Sequence, residues 1–310
     1  VTVTPPGGRA LRFVFHYPET NGPEGSGLDA GPLLEVAVAA ERAGFDAFSL
    51  SEHPGPGARW LSAGGHQTLD PLVALAAVAG ATSRLRLVTN IVVAPYRNPL
   101  VLAKAAATLD LVSGGRLTLG LGSGYQKSEF FALGVDMEER NELFDEALEV
   151  LPLHWAGEPF SYAGRHFSAR DVIARPRPVQ DPIPIWIGGN SRRSRRRVAE
   201  RAQGWMPMSG TAELSATART PALGTLDQLT GTIAELRAAA AERGRGPIDV
   251  TYSYPDRSIG RPAEDPDRHR ETLETIRAAG ITWVVVSSGT TEASPTLEFL
   301  EAFGATYLAG

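Results

Sequence analysis

The chain has 310 residues, with 30 Lys plus Arg against 35 Asp plus Glu, a formal charge of −5, 43% hydrophobic residues and no Cys. That content supplies one large core and argues against disorder, while the charge argues against a nucleic-acid or membrane surface. The missing Cys excludes disulfides, thiolate nucleophiles and thiolate-ligated metals.

Short β-rich apolar runs alternate along the chain with amphipathic segments of helix length. Strand Leu11 to Phe15 precedes helix Leu33 to Ala43, Phe45 to Leu50 precedes Pro71 to Ala81, and Leu85 to Thr89 precedes Pro99 to Val112. Leu117 to Leu121 leads to Glu138 to Trp155, Pro184 to Ile187 to Ser191 to Ala202, and Gly204 to Pro207 to Leu226 to Arg243. The last pairs are Asp249 to Ser253 with Asp267 to Ala279, and Thr282 to Val286 with Thr296 to Tyr307. Eight such units predict an α/β protein, a single (β/α)8 TIM barrel over residues 1–310. Asp70-Pro71 and Asn98-Pro99 place a side-chain oxygen at an N-cap and proline at the first helical position, and Gly44 and Gly280 stand where helices should end. Insertions are expected after the fourth helix (156–183, hairpin-like and on the cofactor side), after strand six (210–224) and after strand seven.

Several residues carry chemistry. Gly120-Leu121-Gly122-Ser123-Gly124 ends the fourth strand, where glycine lets the backbone approach a ligand; the alternative is a tight turn. A dinucleotide fingerprint is disfavoured because Tyr125 stands at the third glycine position. Gly188-Gly189-Asn190-Ser191 follows the fifth strand and runs into a helix whose N-terminus favours an anion. Arg192 and Arg193 would add charge there, unless the Arg192 to Arg197 run is a solvated face. Leu50-Ser51-Glu52-His53 ends the second strand, and a His at the carboxyl end of a barrel strand sits where catalytic side chains arise, with a pKa suited to proton transfer. His16 is a weaker candidate of that kind, and Tyr17, Tyr125, Trp60 and Trp186 would wall an aromatic ligand or simply pack. No His or carboxylate pair has metal-ligand spacing. Lysine is confined to Lys104, on a helix, and Lys127, at a loop or helix start, so a Schiff base would rest on one of them. The opening VTVTPPGGRA has no apolar signal-peptide stretch, so the expectation is a cytoplasmic protein acting on a small molecule, with no nucleic acid and no membrane.

Three segments carry a family resemblance: AERAGFDAFSLSEH, then VTNIVVAPYRNPLVLAKAAATLDLVSGGRLTLGLGSGYQKSEFFALGVDMEER, then RPRPVQDPIPIWIGGNSRRSRRRVAERAQGWMPM. Together, over most of residues 9 to 208, the chain resembles the luciferase-like monooxygenase superfamily, the bacterial luciferase type of flavin-dependent barrel. PYRNPLVLAKAAATLD with SGGRL, EFFALGV and WIGGNS resembles its branch that uses coenzyme F420. The resemblance implies a cofactor ring in the barrel mouth against a bulge after strand three, at Thr89, Asn90 and Ile91, with a non-prolyl cis peptide at Asn90-Ile91 or its neighbour. It implies a phosphate held by Gly122, Ser123, Gly124, Gly188, Gly189 and Asn190, with Ser191 beside them, and His53 at the reactive face of the ring. His53 and Tyr125 are then the candidate catalytic residues, and His16, Glu52, Trp60 and Trp186 the candidate substrate pocket. Members oxidising glucose 6-phosphate carry an acidic proton donor where this chain has Tyr125, and use lysines beyond strand five; this chain has none after Lys127, leaving Arg219, Arg257 or Arg261 as substitutes.

The implied activity is F420-dependent hydride transfer to or from a small organic substrate. The alternatives are an FMNH2-dependent monooxygenase using O2, a catalytically silent flavin-binding partner barrel and, on fold alone, a phosphate-binding aldolase, against which the scarcity of lysine argues. A homodimer through the early helices is also implied.

Overall fold

The structure, a computed structural model, describes residues 11–21, 31–209 and 212–309. The opening decapeptide and residues 210 and 211 of the expected second insertion lie outside the described residues. Eight strands form the barrel: β1 (Arg12–His16), β2 (Ala47–Leu50), β3 (Arg86–Thr89), β4 (Leu117–Gly122), β5 (Ile185–Gly188), β6 (Gly204–Met206), β7 (Asp249–Ser253) and β8 (Trp283–Val286). Each pairs in parallel with the next, β8 pairs with β1, and β4 with β5, so the sheet closes. The outer helices are α1 (Gly31–Ala43), α2 (Pro71–Ala81), α3 (Pro99–Val112), α4 (Arg140–Ala156), α5 (Arg192–Arg201), α6 (Leu226–Ala241), α7 (Pro266–Ala278) and α8 (Ala293–Phe303). Asp70 accepts the N–H groups of Leu72 and Val73 at 2.9 and 3.0 Å, and Asn98 that of Leu100 at 2.9 Å, so the expected caps start α2 and α3. Gly44 (φ 93°) and Gly280 (φ 89°) turn the chain out of α1 and α7.

Strand residues alternate between two cores. Phe13, Phe15, Phe48, Leu50 and Leu87 face the helices. Val14 stands opposite Ala47 and Val285 and, with Val88, Trp186, Met206 and Trp283, fills the barrel interior. Burial of each large side chain contributes about 1.5–3 kcal/mol. Trp186 fits because Gly204 faces it: a Cβ there would lie 2.2 Å from Trp186 Cδ1.

At the amino ends of the strands the interior is polar and internally paired. Arg12 meets Asp249 at 2.7 Å, and Asp249 also accepts the Thr282 hydroxyl at 2.9 Å. Arg86 donates to Thr118 Oγ1 and Gln180 Oε1, both at 2.9 Å, and Gln180 in turn donates to the fully buried Asp110 on α3 at 2.6 Å.

The segment after α4 is an antiparallel hairpin, Phe160–Ala163 with Ser168–Val172. It runs along α4, where the Glu146 carboxylate accepts the N–H groups of Arg165, His166 and Phe167 at 3.0–3.1 Å. None of its residues lines the cavity at the barrel mouth. The helix Ala212–Thr217 follows β6, and a 3-10 turn, Arg257–Gly260, follows β7. No helix of the described residues is long and apolar enough to cross a membrane.

Candidate active site

The carboxyl ends of the strands surround a cavity of ≈ 420 Å³. At the end of β2 the chain runs Ser51-Glu52-His53, and His53 Nδ1 lies 3.3 Å from Glu129 Oε2. Glu129 belongs to a short helix, Lys127–Ala132, that begins just beyond the β4 glycines. Phe130, 1% exposed, seats this helix edge-on against Tyr96, with ring centroids 4.9 Å apart, and so buries the neighbouring Glu129 as well. The Glu129 carboxylate also accepts the Tyr96 hydroxyl at 2.9 Å and the Gly55 N–H at 3.2 Å. A carboxylate accepts only, so His53 meets it with its Nδ1–H, and Nε2 is the ring nitrogen left for a ligand. Burial, then the Glu129 charge, pushes the Tyr96 phenol far up and the Tyr125 phenol up to about 12, so both stay protonated near neutrality.

A second cluster adjoins the first. Glu19 lies between His16 Nε2 at 3.2 Å and His66 Nε2 at 2.8 Å, and accepts the Ser51 N–H at 3.1 Å. Burial raises its carboxyl, but the charges and hydrogen bonds of the two imidazoles outweigh burial and hold it well below the usual carboxylate range. The His66 ring stands edge-on to His53 at 4.8 Å, and Trp60 backs both at 4.6 and 5.2 Å. One polar arc therefore runs from Tyr96 through Glu129, His53 and His66 to Glu19 and His16.

Another part of the wall is apolar. The Asn90-Ile91 peptide is cis, and Val92–Val93 then pairs with the end of β4. Glu52 clamps this bulge to β2: one oxygen accepts the Val93 N–H at 2.7 Å and the other pairs with Arg97. Burial pushes the Glu52 carboxyl up, and Arg97 opposes it. The Ile91 side chain lies across Gly122 and Gly188, where a Cβ would come within 2.1 and 3.0 Å of Ile91 Cδ1. Only glycine leaves this wall flat. Gly124 (φ 77°) and Gly189 (φ 96°) add backbone turns beside it, the latter just before the N-terminus of α5. A flat wall for a planar ring, backbone groups at a helix N-terminus for a phosphate and a volume within the usual 300–1,000 Å³ of small-molecule sites fit a flavin or deazaflavin.

Of the expected site residues, His16, Glu52, His53, Asn90, Ile91, Gly122, Ser123, Gly124, Tyr125, Gly188 and Gly189 line the cavity. Trp60 stands behind His53. Four others do not line it. Trp186, 2% exposed, belongs to the barrel interior, edge-on to Trp283 at 5.3 Å, so it is core and not substrate wall. Thr89 is fully buried and donates to the Gly120 carbonyl at 2.8 Å. Asn190, also fully buried, donates to the carbonyls of Met208 and Pro221 at 2.7 and 2.8 Å, tying the loop after β5 to the loop after β6 instead of meeting a ligand. Ser191 caps α5 through the Ser194 N–H at 3.0 Å. The arginine run turns away from the cavity: Arg193 and Arg197 share Asp145 at 2.7 and 2.6 Å, and Arg197 stacks on Phe144. Arg219, Arg257 and Arg261 are exposed, and Arg261 pairs with Glu264. Tyr17 is buried against Phe48. Sequence reading missed Glu19, His66, Tyr96 and Glu129. Glu129 sits inside a quoted motif, but nothing in the spacing ties it to a histidine 76 residues away.

The luciferase-like monooxygenase family matches residues 12–277. An F420-dependent glucose-6-phosphate dehydrogenase of Beutenbergia cavernae is 34% identical over 253 residues, 80% of this chain and 68% of that protein. Other curated relatives, including the same-named enzyme of Microbacterium testaceum, are matched over only about half of their length. Among solved structures, monooxygenase RslO1 from Streptomyces bottropensis has a TM-score of 0.73 at 24% identity, covering 96% of this chain and 99% of that one. An F420-dependent secondary alcohol dehydrogenase in complex with an F420-acetone adduct has a TM-score of 0.72 at 17% identity, covering 97% and 99%. At these identities the two structures share the fold. The chain belongs to the luciferase-like monooxygenase family, and the curated relatives named above are dehydrogenases, which are oxidoreductases.

Proposed function

We propose that the chain is a two-electron oxidoreductase that uses coenzyme F420 with a small organic substrate, His53 carrying the proton that accompanies hydride exchange. The observation that carries this reading is His53, held through Nδ1 by the buried Glu129, facing a cavity walled in part by the flat Ile91 bulge. The curated relatives named as F420-dependent support the choice of cofactor.

Ile91, Gly122 and Gly188 would hold the ring, and Ser123, Gly124, Gly188 and Gly189 the phosphate. When bound, the deazaflavin supplies a carbon centre that accepts or gives hydride. For an alcohol substrate, the free lone pair on His53 Nε2 takes the hydroxyl proton as the carbon loses its hydride; in reverse, protonated His53 returns that proton to the carbonyl oxygen. Glu129 stabilises the imidazolium in both directions and fixes the ring. Tyr125 remains a hydrogen-bond donor to the substrate oxygen. Glu52 keeps the bulge in place from behind, and the walls exclude water from the reacting atoms.

Titration of the purified protein with F420 and, separately, FMN, followed by absorbance or fluorescence, tests the cofactor. Binding of F420 on the order of micromolar, with FMN much weaker, is expected. Preference for FMN would replace the reading with an FMNH2-dependent monooxygenase, checked by oxygen consumption.

A further inference from the structure

The charge of the cavity bears on the substrate. Glu19, Glu52 and Glu129 line it with His16, His53 and His66, and among the described residues no Lys or Arg does. Glu52 has Arg97 behind it, but Glu19 and Glu129 are met only by imidazoles, hydroxyls and backbone N–H groups. The two lysines lie elsewhere: Lys104 on the outer face of α3, bonded to the Arg175 carbonyl, and Lys127 exposed. Arg219, between the lining residues Ala218 and Thr220, is itself exposed and outside the lining. Residues 22–30, between β1 and α1 in the chain, include Glu24 and Asp29 and no basic residue.

We infer that this site takes an uncharged alcohol or carbonyl compound and discriminates against a phosphorylated one, with Glu19, held by its two imidazoles, and Tyr125 reading the substrate's polar group. The inference rests on the proposed function and narrows it to a substrate class. A phosphate dianion in the substrate half of the cavity would face two carboxylates whose imidazole partners are already engaged with them, and no Lys or Arg on the lining, in a partly desolvated space. An uncharged hydroxyl donates to Glu19, which the two imidazoles hold in place, and a carbonyl accepts from the Tyr125 hydroxyl on the same lining. The cofactor phosphate is a separate matter, because backbone groups at the α5 N-terminus serve it without a side-chain cation.

The test uses the full chain saturated with F420 and matched probes: cyclohexanol against cyclohexyl phosphate, and glucose against glucose 6-phosphate, each Kd read from the absorbance of the bound cofactor. The uncharged member of a pair is expected to bind at least about tenfold more tightly. Ser253→Arg, a cation placed on the cavity lining, should close that gap, Arg219→Ala should leave it unchanged, and Glu19→Gln should weaken cyclohexanol about fivefold or more. Equal or tighter binding of the phosphorylated members by the unaltered protein overturns the inference, above all if Arg219→Ala abolishes it, and so does the absence of binding by both uncharged probes. Failure of F420 to bind at all strikes the function reading instead; the same pairs, compared by protection against thermal unfolding, then still decide the substrate preference.

Discussion

The two ends of the barrel interior carry charge in opposite ways. At the amino ends of the strands, Arg86, Gln180 and Asp110 satisfy one another, and Arg12 and Asp249 do the same. At the carboxyl ends, His53 and Glu129, and His16, Glu19 and His66, are joined just as closely but stand around an open cavity. A polar group whose partners are all within the protein holds the fold together. One that keeps a lone pair or a proton facing a cavity can act on a ligand. The lower network should therefore govern stability and the upper one turnover.

His53→Ala should break the comparison most sharply, lowering kcat about 10²- to 10⁴-fold while F420 affinity and Tm stay near their original values. Steady-state kinetics with parallel thermal melts would check it, and full turnover would remove His53 from proton transfer. Asp110→Ala should do the reverse. It leaves the Gln180 N–H and one amide hydrogen without their buried acceptor, so urea unfolding should show a loss of about 2–3 kcal/mol, with kcat per folded molecule retained. Glu129→Gln lies between the two, since the amide loses the charge that stabilises the imidazolium but keeps the volume. A fall in kcat on the order of tenfold, with unchanged F420 affinity, is expected in single-turnover measurements.

The smallest effect tests whether the upper network also contributes to stability. The folded pKa of Glu19 is depressed, so below its usual value of 4.5 the unfolded chain binds more protons than the folded one. The stability Glu19 contributes is therefore complete above that pH and is lost as the pH falls from there through the lowered folded value. Tm measured across that window should drop less steeply for Glu19→Gln than for the original protein; parallel slopes would show that Glu19 contributes nothing to acid sensitivity.

Much of the fold was legible in the chain because its signals are local. Caps at Asp70 and Asn98, positive-φ glycines at 44 and 280 and eight apolar runs all act over a few residues. The flat wall was partly legible too, since Gly122 and Gly188 mark a close approach, although the sequence did not say that Ile91 was the approaching group. Which face of β5 met the ligand was not readable. Ile185, Trp186 and Ile187 are all buried, and a strand covered on both sides has no alternation to reveal that Trp186 belongs to the core.

The sequence by itself determined the βα alternation, the helix ends and the glycine turns, because each depends on the conformational preferences of neighbouring residues. Only the tertiary structure decided the chemistry of the mouth. Barrel closure and strand register bring His53 to Glu129 and His66 to the local His16–Glu19 pair, and contacts made between distant segments leave no spacing in the chain to read.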